Sequence, residues 1–291
     1  MKQKEQTITG FFLGLTTIDF QYVVDPFPRE NSKNKAQAFD MALGGPAVNA
    51  AAAFSHLGGK AQTFSVVGKH AMSPFLNHEF EKYKLNLNDL APDHPHYPTL
   101  ASVWTSQTNG NRTIVTNQRV IPPLDLTILH DAFRLIPQII LVDGFYMEAA
   151  IELAKWGQKQ GIPVVMDGGS WKDRTEELLS FVDIVICSND FQVPDPKENL
   201  FHYLRRKGVR QIAVTRGENP IEYMDGDHSG AIPVRKIQAV DTLGAGDIFH
   251  GAFCYYYALN SHFTESLALA SVVAGESCRY LGAKTWMHQN V

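Results

Sequence analysis

The sequence predicts an α/β fold, in which helices cover a doubly wound, mostly parallel β-sheet. From Leu124 onward, short apolar runs alternate with segments whose apolar residues recur at helical spacing, which is typical of a parallel sheet covered by helices. A short apolar run at 8–14 and a helix of small residues after Gly45 extend the pattern toward the N-terminus. The 291 residues suffice for one large core, so we expect a single domain spanning 1–291.

The elements follow one another at short intervals along the chain. Strands are expected where apolar or β-branched runs stop at glycine or polar residues: 8–14, 20–24, 61–68, 138–143, 162–167, 184–188 and 211–215. Helices are expected where apolar residues recur every three or four positions: 73–85, 147–160, 175–181, 197–207, 245–259 and 264–280. Residues 222–234 indicate a further hairpin.

A small separate sheet is predicted beside the main one. Two alternating, β-branched segments at 99–105 and 112–116 flank Asn109-Gly110, which is a strong signal for a hairpin turn. Together with the strand at 20–24, they would form a β-sheet lid over one end of the main sheet. The two stretches that would build this lid lie at about 19–42 and 97–120.

Composition and charge narrow the function classes. The chain has 26 lysine and arginine residues against 30 aspartate and glutamate residues, a formal charge of −4, which offers no basic face for nucleic acid. No stretch approaches the ~20 apolar residues that a membrane span needs, and the polar start at 1–7 has no signal-peptide core. Cys187, Cys254 and Cys278 lack metal-ligand spacing and fit reduced, buried thiols. We expect a cytoplasmic protein that binds neither nucleic acid nor membranes.

The stretch 239–253 is the most informative part of the chain. Gly244, Ala245 and Gly246 precede an apolar, helically spaced run, so a helix begins at these glycines. The first amides of a helix lack intrahelical partners, and glycine lets an anion approach them closely. Asp247 would repel a permanently bound phosphate, but it is suited to take a proton from a hydroxyl that attacks one. Spacing alone equally allows a plain helix start in which Asp247 complements the dipole.

A second glycine motif opens the helix near the N-terminus. Gly44 and Gly45 precede a run of very small residues, which allows close packing on a sheet. Asn49 lies in this helix and is costly to bury unless its amide is satisfied. Ordinary helix–sheet packing, with Asn49 bonding the backbone, explains the motif as well. Asp19, just past the first strand, stands where ligands tend to bind in α/β sheets, although a turn or capping role is the simpler interpretation.

Both motifs resemble signatures of one enzyme family. The segment from Asp241 to Asp247 reads Asp-Thr-Leu-Gly-Ala-Gly-Asp and resembles the C-terminal signature of the ribokinase-like (pfkB) carbohydrate kinases at every fixed position. Gly44 to Asn49, followed by an alanine-rich helix that ends in Leu-Gly, resembles the N-terminal signature. The resemblance covers nearly the whole chain. It implies a ribokinase-like fold with a small β lid and an ATP-dependent sugar kinase with Mg²⁺ on the nucleotide.

The resemblance also implies roles for individual residues. The amides of Gly244, Ala245 and Gly246 would form an anion hole, and Asp247 would be the base. For sugar binding it implies Asp19, Gly44, Gly45 and Asn49, with Arg112 reaching from the lid toward phosphate. Around the nucleotide it implies Thr215, Gly217, Gly244, Gly246 and Gly275. Asp241 and the carbonyl of Leu243 match positions that hold a monovalent cation in some members, so K⁺ is a candidate.

Several stretches resemble the members of this family that act on ketoses. Residues 110–114, 240–247 and 273–275 resemble the ketohexokinase branch, and residues 165–169 and 249–252 resemble bacterial sulfofructose kinase. The resemblance therefore implies a ketose as the small-molecule substrate. It leaves open a homodimer formed through the lid.

Two positions depart from the family pattern. Many members have Gly-Asp-Asp where this chain has Gly-Lys-His at 68–70. Many also have an Asn-x-x-Glu motif whose Glu organises the Mg²⁺ shell; here Ser188 stands at the Asn position and Phe191 at the Glu position, with Asp190 as the candidate replacement. Two alternatives to the sugar kinase stay open: a nucleoside kinase of the adenosine kinase type, and a degenerate sugar- or nucleotide-binding homologue without turnover.

Overall fold

The computed structural model describes residues 7–108, 110–117 and 121–289. Its strands are β1 (Thr9–Leu13), β2 (Thr17–Val24), β3 (Ala38–Gly44), β4 (Lys60–Ser65), β5 (Leu85–Asp89), β6 (Thr99–Ser106), β7 (Arg112–Thr116), β8 (Ile139–Val142), β9 (Val164–Gly168), β10 (Ile184–Ser188), β11 (Gln211–Arg216), β12 (Asn219–Asp225) and β13 (His228–Ile232). Its α-helices are α1 (Pro46–His56), α2 (Ser73–Lys82), α3 (Leu126–Ala132), α4 (Met147–Gln160), α5 (Thr175–Leu179), α6 (Leu200–Arg206), α7 (Ala245–Asn260) and α8 (Phe263–Ser277). A short 3₁₀ helix follows at Thr285–His288.

Within the described residues, nine strands form a large sheet in the order β13-β12-β11-β10-β9-β8-β1-β4-β5. Neighbours from β11 to β5 are parallel, and β12 and β13 extend one edge as an antiparallel hairpin. Successive side chains enter two different cores: Phe12 packs with residues of α1 and α7, whereas Phe11 and Leu13 pack with residues of α3 and α4. Helices therefore cover both faces, and the predicted doubly wound, mostly parallel fold is confirmed.

A separate small sheet, also within the described residues, has the order β3-β2-β6-β7. β2 and β6 are parallel, whereas the β2–β3 and β6–β7 pairs are antiparallel. Residues that stand opposite each other in neighbouring strands share a face. Asp19 stands opposite Ala101 of β6, and Arg112 stands opposite Thr105 of β6. Ala101 and Thr105 are four positions apart in one strand and so share a face, which places Asp19 and Arg112 on the same face of this sheet. The lid boundaries at about 19–42 and 97–120 stay a prediction.

β3, β5, α3 and the 3₁₀ helix were not predicted from the sequence. β3 and β5 are edge strands of their sheets, and edge strands carry more polar residues than central ones. In β5, Asn86 and Asn88 alternate with leucines and donate hydrogen bonds to Gln62 of β4 at 2.6 and 3.2 Å. Such a strand resembles a loop in composition, because side-chain amides take the place of apolar contacts.

Some predictions fall outside the described residues. These are Asn109 in the expected hairpin turn, residues 118–120 of the lid, and the polar start at 1–6. Throughout the part of the chain that is described, none of the helices combines the length and the apolar character needed to cross a membrane. Cys187, Cys254 and Cys278 are buried free thiols, as expected.

Candidate active site

The turn before α7 opens toward a cleft. Gly244 is the N-cap of α7 with a φ of 71°, a left-handed conformation that favours glycine, and its N-cap position supplies no side-chain hydrogen bond. A Cβ atom on Gly244 would lie 2.7 Å from the Cβ of Ala283, whereas a Cβ on Gly246 would meet no atom within 4 Å. The first-turn amides of α7 therefore lie beside open space, at the positive end of the helix dipole.

Asp241 holds this turn in place. It is buried, and its carboxylate accepts hydrogen bonds from the backbone amides of Leu243 and Gly282, each at 2.9 Å. These bonds tie the turn to the C-terminal segment. The monovalent-cation role of Asp241 and the Leu243 carbonyl stays a prediction.

Asp247 lies in the first turn of α7 and is half-buried. Asn49 of α1 donates a hydrogen bond from Nδ2 to Asp247 Oδ2 at 2.8 Å. Burial and the neighbouring Asp167 carboxylate raise the pKa of Asp247 above the ordinary aspartate value. The pKa of Asp247 is lowered by the hydrogen bond from Asn49 and by the nearby His250 and Lys284. A carboxylate whose pKa is raised holds a proton more tightly, which suits Asp247 to general-base chemistry.

Asp19 lies inside β2 of the small sheet, and the turn or capping role suggested for it from the sequence is wrong. Asp19 is buried and accepts a hydrogen bond from Thr17 Oγ1 at 2.6 Å. Burial raises the pKa of Asp19, whereas the Thr17 hydrogen bond and the Lys284 charge lower it. A Cβ atom on Gly44 would lie 2.2 Å from Asp19 Oδ2, so the missing side chain at this position makes room for the carboxylate.

The start of α1 brings the other predicted sugar-binding residues to the same place. Gly45 is the N-cap of α1 with a φ of 105°, and a Cβ there would lie 1.9 Å from the carbonyl oxygen of Leu15. Asn49, one turn further on, is buried. The side chain of Lys284 donates from Nζ to Asn49 Oδ1 at 2.5 Å and also to the carbonyl oxygen of Leu43. Asn49 therefore bonds side chains rather than the backbone.

Arg112 connects the small sheet to the glycine turn. It is exposed at the start of β7, and its guanidinium group donates a hydrogen bond to Thr242 Oγ1. Arg112 lines the same cleft as Gly244 and Asp247. Arg112 thus lies in the cleft beside the glycine turn, while its reach toward phosphate stays a prediction.

The cleft, of about 870 Å³, runs from this turn along the carboxyl ends of β8 to β11, where α/β sheets bind ligands. A second cleft of about 370 Å³ adjoins it and has mainly apolar walls that include Ile221 and Phe249. Four of the five residues predicted to surround the nucleotide line this second cleft, and the fifth, Gly244, lines the larger one. The four are Thr215, Gly217, Gly246 and Gly275. The structure therefore brings them together beside the glycine turn.

Phe191, the residue for which the family resemblance implied a departure from a Mg²⁺-organising Glu, belongs to the core. It is buried, and its ring centroid lies 5.7 Å from that of Trp171. The neighbouring Asp190 is exposed and lines the larger cleft. The role of Asp190 as a replacement for that Glu stays a prediction.

Asp143 is a site residue that was not predicted. It is buried at the end of β8, and its carboxylate accepts hydrogen bonds from the amides of Leu15, Phe145 and Ala47 at 2.8, 3.1 and 3.3 Å. Burial raises the pKa of Asp143 to about 6. It ties the end of β1 to the start of α1. An aspartate at the end of an apolar run was a usable signal for it.

His250 and Asp167 form a second unpredicted group behind the glycine turn. The His250 ring lies between two carbonyl oxygens, with Nδ1 2.7 Å from Gly246 O and Nε2 3.2 Å from Ile186 O. Asp167 Oδ1 is 3.7 Å from Nε2. Because these partners come from α7, β9 and β10, no local spacing in the sequence indicates them.

We predict that Asp247→Asn changes the pH dependence of stability. Since folding raises the pKa of Asp247 above 3.8, the parent loses stability as pH rises through the folded-state pKa, and a neutral asparagine avoids this loss. Urea unfolding should give similar free energies for parent and variant at pH 4, with the variant gaining relative to the parent by pH 8. A difference that is the same at both pH values would contradict the raised pKa.

Known proteins resemble this chain over nearly its whole length. The profile of the pfkB family carbohydrate kinases matches residues 11–290. A ribokinase from Lactococcus lactis is 26% identical over 280 residues, covering 94% of this chain and 92% of that protein, and the Mus musculus ketohexokinase is 22% identical, covering 93% and 96%. The structure of a Xylella fastidiosa fructokinase with bound ATP matches with a TM-score of 0.77 at 21% identity, covering 96% and 94%. The chain therefore belongs to the pfkB family of carbohydrate kinases, which are phosphotransferases with an alcohol group as acceptor.

Proposed function

We propose that this protein is an ATP-dependent sugar kinase that transfers the γ-phosphoryl group to a hydroxyl of a ketose. The observation that carries the proposal is the position of Asp247. Its carboxylate accepts a hydrogen bond from Asn49 and lies in the first turn of a helix whose Gly246 borders open space. Catalysis of phosphoryl transfer to a hydroxyl relies on positioning and on charge stabilisation, and a base and an anion site that meet in one cleft contribute to both.

The acceptor sugar would bind where the small sheet meets α1. Asp19 and Asn49 supply polar groups there, and both interact with the ammonium group of Lys284. Gly44, at the end of β3, has no side chain and so makes room for the Asp19 carboxylate at this place. A carboxylate and an amide suit the hydroxyl groups of a sugar. The ketohexokinase-like stretches and the ketohexokinase relative support a ketose.

ATP would occupy the two adjoining clefts. The mainly apolar cleft between Ile221 and Phe249 suits the flat adenine base, and the larger cleft leads from it to the amides of Gly244 to Gly246. The open space at Gly246 is what a phosphate needs in order to approach these amides. The ATP bound to the similar fructokinase supports the same donor here.

Mg²⁺ would accompany ATP, as it generally does in this family. In the described ranges no three His, Cys, Asp or Glu side chains converge as a metal cage, and Mg²⁺ commonly binds through substrate phosphates and one or two carboxylates instead. Asp190 on the cleft wall would supply such a carboxylate. When bound, Mg²⁺ supplies positive charge to the phosphate oxygens.

In the reaction, Asp247 takes the proton from the attacking hydroxyl as the new O–P bond forms and the bond to ADP breaks. Asn49 keeps its hydrogen bond to Asp247 Oδ2 throughout, which leaves Oδ1 for the proton. Arg112 and the first-turn amides of α7 stabilise the charge on the transferred group.

Three further expectations accompany this function. K⁺ would bind at Asp241 and the Leu243 carbonyl, beside the glycine turn. A homodimer would form through the outer face of the small sheet, where Phe39 and Val115 are each 57% exposed. A cytoplasmic location suits three free thiols.

A coupled ADP-release assay over ketoses, aldoses and nucleosides tests the proposal. We expect Mg²⁺-dependent turnover with the highest kcat/KM for fructose or a substituted ketohexose. The highest kcat/KM for a nucleoside would replace the sugar kinase with a nucleoside kinase. ADP release with none of these compounds, although sugar and nucleotide still bind, would identify a degenerate binding protein.

Arg112→Ala should lower kcat and weaken nucleotide binding, because it removes a positive charge that faces the anion site. The melting temperature should stay nearly unchanged, since Arg112 is exposed. Steady-state kinetics and thermal unfolding measure both effects. The matched control is Arg134→Ala, which removes an exposed arginine at a distance from the cleft. If both variants keep the parent's kinetics, Arg112 is a solvated hairpin residue.

A further inference from the structure

Lys284 is a buried lysine whose ammonium group ends inside the candidate active site. It precedes the C-terminal 3₁₀ helix, and only 6% of its surface is exposed. Its Nζ donates hydrogen bonds to Asn49 Oδ1, at 2.5 Å, and to the carbonyl oxygen of Leu43 in β3. A lysine is almost never buried this far unless its neighbours stabilise it. The partners therefore indicate what Lys284 does.

The Lys284 ammonium distinguishes the two ends of the Asn49 amide. Because an ammonium group donates hydrogen bonds and accepts none, it requires the amide oxygen on its own side. Nδ2 of Asn49 then faces Asp247 Oδ2, 2.8 Å away. The reversed amide would place N–H groups against the ammonium and an oxygen against the carboxylate, and both contacts are repulsive. Lys284 thus selects the orientation in which Asn49 donates to Asp247.

Charged groups on several elements surround this arrangement. The groups that face Lys284 are Asp19 of β2, Glu79 and Lys82 of α2, Tyr83 directly after α2, and Asp247 of α7. Burial lowers the pKa of Lys284, whereas the three carboxylates raise it. Asp247 also faces Asp167 of β9 and His250 of α7, which act on its pKa in opposite directions.

We propose that Lys284 is a positioning residue for phosphoryl transfer: it fixes the Asn49 amide, and Asn49 in turn holds the Asp247 carboxylate in place. This role rests on the proposed function, because it affects turnover only where Asp247 is the base. The bond to Leu43 extends the arrangement to the small sheet. β3 and α1 therefore meet at one ammonium group, and Asn49 links that group to Asp247 of α7.

Lys284→Met tests this role, because methionine has a similar length but neither charge nor N–H groups. Loss of the positive charge and reversal of the Asn49 amide both raise the pKa of Asp247. A ¹³C NMR titration of the Asp247 carboxyl, assigned with Asp247→Asn, should therefore shift to higher pH. The acid limb of the kcat/KM profile should shift the same way, and kcat should fall by about tenfold or more, as misplaced catalytic groups typically cause.

Lys60→Met is the matched control. Lys60 is exposed at the amino end of β4, away from the cleft, so the same substitution there should leave both the titration and the kinetics unchanged. If Lys284→Met does not fold, Lys284→Gln serves instead, since it keeps N–H donors but removes the charge. An Asp247 titration that matches the parent in the folded Lys284 variant would overturn the positioning role.

The two readouts separate this inference from the proposed function. If the parent phosphorylates no sugar but the Asp247 titration still moves in the Lys284 variant, the kinase proposal fails and the structural link from Lys284 to Asp247 stands. If the parent is an active kinase and neither readout moves, the positioning role fails alone.

Discussion

The hydrogen bond from Asn49 to Asp247 is the contact on which the rest of the site depends. It joins residues 198 positions apart in the chain and requires the first turns of α1 and α7 to lie side by side. Gly251 permits this approach, because a Cβ there would lie 2.0 Å from the carbonyl oxygen of Ala50. The N-termini of α1 and α7 therefore border the same cleft, and the positive end of each helix dipole faces it.

The same close packing determines the electrostatics of the site. Burial raises the pKa values of Asp19, Asp143 and Asp247, and each of these carboxylates has a specific donor beside it. Thr17 donates to Asp19, backbone amides donate to Asp143, and Asn49 donates to Asp247. Buried carboxylates alone would repel a nucleotide phosphate. The helix starts and nearby cations such as Arg112 offset that repulsion, so an anion and a base are able to share the cleft.

Local sequence patterns gave the fold class and the two glycine motifs but only part of the site. Gly244 to Asp247 and Gly44 to Asn49 were predictable because helix starts and tight turns require particular residues at fixed spacing. Lys284, Asp167 and His250 carry no such signal. Their contacts with other elements join residues far apart in the chain, although the contact of His250 with Gly246 is local. Asp19 was placed in a turn because the strand around it, β2, belongs to a second sheet whose pairing is not a local property.

The kinetics of Asp247→Asn test the central claim most directly. Asparagine preserves the shape of the side chain and accepts the hydrogen bond from Asn49, but it does not take up a proton. A general base contributes ~10²–10⁴-fold in rate, so kcat should fall by about this factor while ATP affinity is retained or improved. If Asp247 only complemented the helix dipole, it would contribute about 0.3–1 kcal/mol of stability, and the variant would keep the parent's kcat. A variant that turns over within a few-fold of the parent would contradict Asp247 as the base.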